Sequence, residues 1–148
     1  KVKYVIVGDG ELRVELEEYI TENNIENVIF TSWQKSVDVV NAGLDIICLT
    51  SKNEGTPVSL IEAQASSRPI VSTNVGGIEN VVLKNETAFL SEVGDLDGYT
   101  SNLRKLIEDS ELRKSMSIKG DHVFTNFHYP RLIKDVKELY DKGMNFTL

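Results

Sequence analysis

Ile46-Ile47-Cys48-Leu49-Thr50-Ser51-Lys52-Asn53-Glu54-Gly55-Thr56-Pro57-Val58-Ser59-Leu60-Ile61-Glu62-Ala63 is the stretch whose reading decides the fold. Its first five residues are nearly all apolar, the pattern of a parallel strand covered on both faces. A polar loop, residues 51–55, follows. Thr56 can then cap a helix, with Pro57 in the first turn, where its missing N–H costs nothing. Val58, Ile61 and Ala65 mark the inner face of that helix. Pro69-Ile70-Val71-Ser72-Thr73 supplies the next strand, beginning on a tolerated proline. Strand, helix and strand in this order form a parallel β–α–β unit.

The same alternation extends in both directions. Upstream, Val2 to Val7 read as a strand turned by Gly8-Asp9-Gly10. Leu12, Leu16, Tyr19 and Ile20 then give a helical stripe. Val28-Ile29-Phe30-Thr31 is a second strand, and residues from Ser36 to Asn41 form a short helix that Gly43 can close. Downstream, Gly76-Gly77 precede a short helical stretch with Val81 and Val82, and Ala88-Phe89-Leu90 is the last strand. Beyond Asp95 the pattern is helical, punctuated by Ser110 and Pro130. The expectation is an α/β fold, a Rossmann-like, mostly parallel sheet with helices on both faces. No internal repeat or low-complexity linker interrupts residues 1–148, so they read as a single domain.

Bulk properties narrow the function. A formal charge of −7 lacks the concentrated Lys/Arg surface that nucleic-acid backbones need, so no nucleic-acid partner is expected. A phosphate ligand stays open, because a helix N-terminus binds phosphate through its amides. The single cysteine, Cys48, excludes an internal disulfide, and its apolar neighbours predict a buried, inert thiol. No apolar run is long enough to span a bilayer and no leader pattern opens the chain. The expected location is the cytoplasm, with peripheral membrane association through a segment outside this chain left open.

Ligands of open α/β sheets gather beyond the carboxyl ends of the strands. Four segments fall there: residues 8–10, 31–33, 51–57 and 74–77. In the third, Glu54 in the loop and Glu62 on the helix can border one crevice, and the amides near Val58 and Ser59 suit a diphosphate. A carboxylate beside that site can accept hydrogen bonds from two vicinal hydroxyls of a sugar or ribose. On spacing alone, both acids also fit ordinary solvated positions. Gly76-Gly77 fit either a close approach of backbone to ligand or a plain turn. Trp33 fits either base stacking or packing. Gly8-x-Gly10 lacks the third glycine and the later acid of a dinucleotide site. His122 and His128 have no metal-ligand spacing around them, and no metal site is expected.

Residues 50–63 closely resemble the signature of the retaining GT-B glycosyltransferases of group 1, the glycogen-synthase-like family 4 enzymes, whose core is two glutamates separated by seven residues. Val5 to Gly10, Phe30 to Trp33, Thr73 to Glu79 and Asp109 to Met116 stand in family order as well. The resemblance covers essentially the whole chain and identifies it with the C-terminal, nucleotide-sugar-binding half of such an enzyme. It implies transfer of a sugar from a nucleotide-diphosphate donor to an acceptor with retained configuration, without a cofactor or metal in this half. By carry-over, Glu62 binds the donor ribose and Glu54 faces the donor sugar. Thr56, Pro57, Val58 and Ser59 contact sugar and diphosphate. Thr31, Ser32 and Trp33 lie by the base, and Gly76 and Gly77 wall the crevice.

Ser32, Ser67 and Ala88 depart from the family pattern, which has glycine there; Ser32 bears on the base pocket and Ser67 on a helix end. The family's amino-terminal acceptor domain has no counterpart in these residues, nor has the first strand–helix unit with its arginine and lysine. Two expectations follow. The isolated chain is inactive and binds donor weakly, and the lost central strand leaves a gap. Val2–Val7 then pair directly with Ile46–Thr50, or a second copy of the chain fills the edge. The competing functions are a non-catalytic nucleotide-sugar-binding module or subunit of a split transferase, and an inactive structural or interaction domain.

Overall fold

The computed structural model describes residues 1–144. The chain divides into two compact units, Lys1–Val40 and Asn41–Leu148. In the first, strand β1 (Tyr4–Ile6) leads to helix α1 (Arg13–Glu22) and strand β2 (Val28–Phe30). The strands run parallel in register Tyr4↔Val28 to Ile6↔Phe30, as a single crossover helix requires. The ladder is extended at its carboxyl end by the Thr31 amide to the Ile6 carbonyl, 3.1 Å, and the Gly8 amide to the Ser32 carbonyl, 3.1 Å. No residue of α1 is buried, and Tyr4, Ile6, Leu12, Leu16 and Tyr19 are exposed.

Helix α2 (Val37–Ala42) spans the junction. The second unit holds strands β3 (Ile47–Leu49), β4 (Ile70–Thr73) and β5 (Ala88–Ser91), all parallel and in the order β3-β4-β5. Helix α3 (Val58–Ala65) connects β3 to β4; a 3₁₀ turn (Ile78–Asn80) lies between β4 and β5. Helices α4 (Leu96–Glu108), α5 (Ser110–Phe124) and α6 (Tyr129–Met144) follow.

Side-chain alternation along β4 divides the core between the faces of this sheet. Ile70 belongs to one cluster, with Leu60, Ala63, Ile78, Val81, Val82, Ala88 and Leu90. Val71 points into the other, with Leu106 and Met116, against which Phe89, Tyr99, Leu103 and Leu112 pack. Helix α3 thus covers one face and α4 with α5 the other, the Rossmann-like layering read from the sequence. All four β4 residues are buried, as expected for the central strand of three.

The terminal helices owe their starts to side-chain caps. Asp95 accepts from the Gly98 amide at 2.9 Å and Asp109 from the Leu112 amide at 2.8 Å, each satisfying a donor that the helix leaves orphaned. Pro130 sits in the first turn of α6, where proline is tolerated. The apolar stripe of α6, Leu132, Ile133, Val136, Leu139 and Tyr140, is exposed.

Two expectations are corrected. Thr56 does not cap α3: Pro57 occupies the cap position with extended ψ of 94°, and no side chain caps the helix. Cys48 is exposed rather than buried. It lies on β3, an edge strand within its sheet, and only the alternate residues Ile47 and Leu49 pack against the α3-side cluster. Its thiol is nevertheless crowded: desolvation raises its pKa, against a weaker, opposing hydrogen bond with Tyr99.

Helix α3 ends as its sequence departure foretold. Ser67 adopts the left-handed conformation, φ 53°, so that its amide reaches the Gln64 carbonyl and the Arg68 amide the Ala63 carbonyl, both 2.9 Å. Glycine adopts this conformation without the Cβ clash that a serine carries. Ser67→Gly is therefore expected to raise unfolding stability by about 1 kcal/mol. Urea denaturation measures it, and an unchanged or lowered midpoint contradicts the strain assignment.

Candidate functional site

The parallel order β3-β4-β5 aligns three carboxyl ends along one edge. The loop after β3 carries Glu54, the loop after β4 carries Gly76 and Gly77, and the segment after β5 carries Glu92. Glu54 is half-buried and Glu62, on α3, is exposed. Leu60, Ala63 and Gln64 fix the roll of α3 by burying completely. Gln64 donates from Nε2 to the Val81 carbonyl at 2.6 Å, tying the helix to the segment after the 3₁₀ turn.

The path of the Glu54 loop is held from the neighbouring strand end. The Gly77 amide donates to the Glu54 carbonyl at 3.3 Å. Thr73 Oγ1 donates to the Ser51 carbonyl at 2.6 Å. Gly76 has φ 53°, and a Cβ there would stand 1.8 Å from the Glu54 carbonyl oxygen; one on Gly77 would stand 2.1 Å from that of Gly55. Both distances are far inside contact, so this glycine pair is what allows the two loops to touch. The close approach seen here is to the backbone that carries Glu54 and Gly55 rather than to a ligand.

Helix α3 opens toward the same edge. The first carbonyl bonds of the helix go from Leu60 and Ile61 to Pro57, and the amides of Val58 and Ser59 have no backbone acceptor among the described residues. Two free donors at the positive end of a helix dipole favour an anion. The rest of the edge is acidic. Asn74 Nδ2 donates to Glu79 Oε1 at 3.1 Å and to Glu92 Oε1 at 3.5 Å, holding two carboxylates together. Among the described residues no cluster of three or more His, Cys, Asp or Glu is arranged to hold a metal ion. Two surface hollows lie elsewhere, one of about 350 Å³ along Glu15, Leu16 and Tyr19 and one at the α4–α5 junction.

In the first unit, Thr31, Ser32 and Trp33 follow the carboxyl end of β2. Ser32 is left-handed, φ 55°, and Trp33 is 78% exposed. Arg13, in the first turn of α1, donates from Nη1 to Asp9 Oδ2 at 2.8 Å and to the Ser32 hydroxyl at 2.5 Å, and from Nε to Glu17 Oε1 at 2.8 Å. These contacts hold the Asp9 carboxyl below the usual carboxylate range, the Arg13 hydrogen bond being the largest cause.

The sequence singled out neither the Arg13 cluster nor the Thr73 and Asn74 bonds. Their long-range members, Arg13 to Ser32, Thr73 to Ser51 and Asn74 to Glu92, join residues distant in sequence that meet only in the folded chain. His122 and His128 stay outside the strand ends; the His128 ring meets Phe124 edge-on at 4.5 Å, a packing role.

Residues 1–123 match the family described as Glycosyl transferases group 1. The chain belongs to that family. Among relatives of this group, N-acetyl-alpha-D-glucosaminyl L-malate synthase of Bacillus anthracis is 30% identical over 93% of the chain. UDP-Gal:alpha-D-GlcNAc-diphosphoundecaprenol alpha-1,3-galactosyltransferase of Escherichia coli is 29% identical over 93% of it. The chain spans only 37% and 36% of the lengths of these two glycosyltransferase-family proteins. In fold it is similar to Anabaena HepE, crystallised with UDP, at a TM-score of 0.88 and 21% identity, covering 95% of this chain and 41% of that one. The parallel α/β arrangement is accordingly that of the C-terminal half of a GT-B glycosyltransferase. No helix among the described residues is long and apolar enough to cross a membrane.

Proposed function

We propose that this chain is the donor-binding half of a group 1 glycosyltransferase that moves a sugar from a nucleotide diphosphate to an acceptor with retained anomeric configuration. The observation that carries the reading is the braced Glu54 loop beside the open start of α3. One carboxylate on a fixed backbone and two free amides share a single sheet edge. The relatives named above, and HepE's complex with UDP, support a nucleotide-sugar donor.

In this reading the amides of Val58 and Ser59 receive the diphosphate. As the bond from the anomeric carbon to the diphosphate oxygen breaks, negative charge grows on the departing nucleotide, and preorganised donors at a helix N-terminus stabilise it. Thr56 and Pro57 approach the sugar and diphosphate, and Gly76 and Gly77 keep the loop in place. Glu54 holds sugar hydroxyls and stabilises positive character at the anomeric carbon. Glu62 accepts hydrogen bonds from the ribose hydroxyls, while Thr31, Ser32 and Trp33 lie by the base. The chain forms one donor-binding domain, without a cofactor of its own. An acceptor-binding domain completes the enzyme, so the 148 residues alone are expected to bind donor weakly and not to turn over. A second copy filling the open strand edge remains the alternative partner.

The test is calorimetric titration of the chain with UDP and UDP-glucose. Glu62→Ala is expected to weaken both by about tenfold, the worth of charge-assisted hydrogen bonds to a carboxylate. Because Glu62 is exposed, its loss should leave the thermal midpoint in place. Glu54→Ala is expected to keep UDP binding and to abolish the difference between UDP and UDP-glucose. Unchanged binding in both variants removes the proposed site.

A further inference from the structure

We propose that Arg13 is a positioning residue of the base subsite, fixing the Ser32–Trp33 turn through the Ser32 hydroxyl and so setting which base is accepted. The inference rests on the reading that residues 31–33 border the base. It starts from what the guanidinium is already doing. Arg13 spends its Nη1 on Asp9 and Ser32 and its Nε on Glu17, and its carbon lies 5.3 Å from the centre of the Phe30 ring. With two carboxylates on it, this cation is compensated where it stands, which argues for an architectural task over capture of a ligand phosphate.

The task is legible in the partners. Asp9 lies in the turn after β1, where its Oδ1 also accepts from the Gly10 amide at 2.9 Å. Ser32 lies just beyond β2, and its carbonyl takes the Gly8 amide. Arg13 thus joins the two strand-end turns of the first unit by side chain, beside the backbone bridge that already joins them. A planar fork can make both bonds in one geometry, whereas an ammonium would point at one partner at a time. Ser32 needs such support: at φ 55° an L-residue is strained, and the charged donor on its hydroxyl offsets part of that cost. The next residue is Trp33, highly exposed, and the direction in which its side chain leaves the chain is set by the backbone that Ser32 holds.

The experiment uses the whole chain with UDP, GDP and ADP as probes. Trp33, the single tryptophan, is the fluorescence reporter. Wild type is expected to prefer one base and to change its emission on binding. Arg13→Ala and Arg13→Lys are expected to reduce that preference by about tenfold, the equivalent of one charge-assisted hydrogen bond. Ser32→Ala removes only the hydroxyl, and it should reproduce the loss even where the Arg13 variants fold poorly. The double variant Arg13→Ala/Ser32→Ala should lose no more than either single one. Equal weakening of all three nucleotides, with the preference intact, would mean a purely structural Arg13 and overturn the proposal while sparing the base subsite. Wild-type binding without any Trp33 response, or no binding at all, would remove the base-subsite reading and this proposal together.

Discussion

Gly76→Ala is expected to cost about 3 kcal/mol or more of unfolding free energy. Two penalties coincide. An L-residue at φ 53° is strained by about 1–2 kcal/mol, and the new Cβ lands 1.8 Å from the Glu54 carbonyl oxygen. Backbone has no alternative rotamer, so the overlap is relieved only by moving the loop, and forced overpacking adds roughly 1–3 kcal/mol. The displacement acts on the element that carries Glu54, so the Gly77–Glu54 bond of 3.3 Å should be lost as well. Urea unfolding measures the stability, and UDP-glucose titration of the folded fraction measures the site. A variant within 1 kcal/mol of wild type would mean that the two loops do not touch as described.

Leu60→Ala is expected to cost about 2–5 kcal/mol, the range for deleting a buried leucine without full collapse of the cavity. Leu60 is fully buried in the cluster with Ile70, Ile78 and Ala88, and it sits in the first turn of α3, between Ser59 and Glu62. The cavity would therefore loosen the end of the helix that presents its free amides. Nucleotide binding should weaken along with stability, and both can be read from thermal melts with and without saturating UDP. A midpoint shift below about 2 °C would show the site to be plastic, since roughly 1 kcal/mol moves Tm by at least that much in a chain of this size.

Much of the fold was legible from periodicity. The run 46–50 read as a buried strand because both of its faces were to be covered, and β3 forms there, though trimmed to three residues. Its neighbour β4 fits the pattern better, buried throughout. Cys48 shows where the reading fails: an apolar run does not say which strand becomes a sheet edge, and on that edge this residue is exposed although its thiol stays crowded. Thr56 shows the same limit on a smaller scale. Thr-Pro before a helical stripe is a start signal, but the turn placed Pro57 at the cap itself.

For the candidate site, the two glutamates and two glycines could be picked out by type and spacing. What joins them could not. A Gly-Gly pair announces that something approaches closely, without naming it, because the partner lies 22 residues earlier in sequence and meets it only when β3 and β4 pair. Asn74 and Arg13 gave still less signal. An asparagine after a strand, or an arginine among acids on a surface helix, looks like ordinary solvated polarity until the strand ends assemble around it.

The grip on the Glu54 loop has a consequence for how such a site can diversify. On the loop's side the brace consists of carbonyl oxygens, those of Ser51 and Glu54, and of the bare backbone at Gly55. Main-chain atoms are the same whatever residue supplies them. Lys52 and Asn53, both exposed between the two anchor points, can therefore be exchanged for other side chains without altering the route the chain takes. Fixing the track while freeing its cargo lets one scaffold vary the surface of this loop, with the demanding positions confined to the glycine pair across from it.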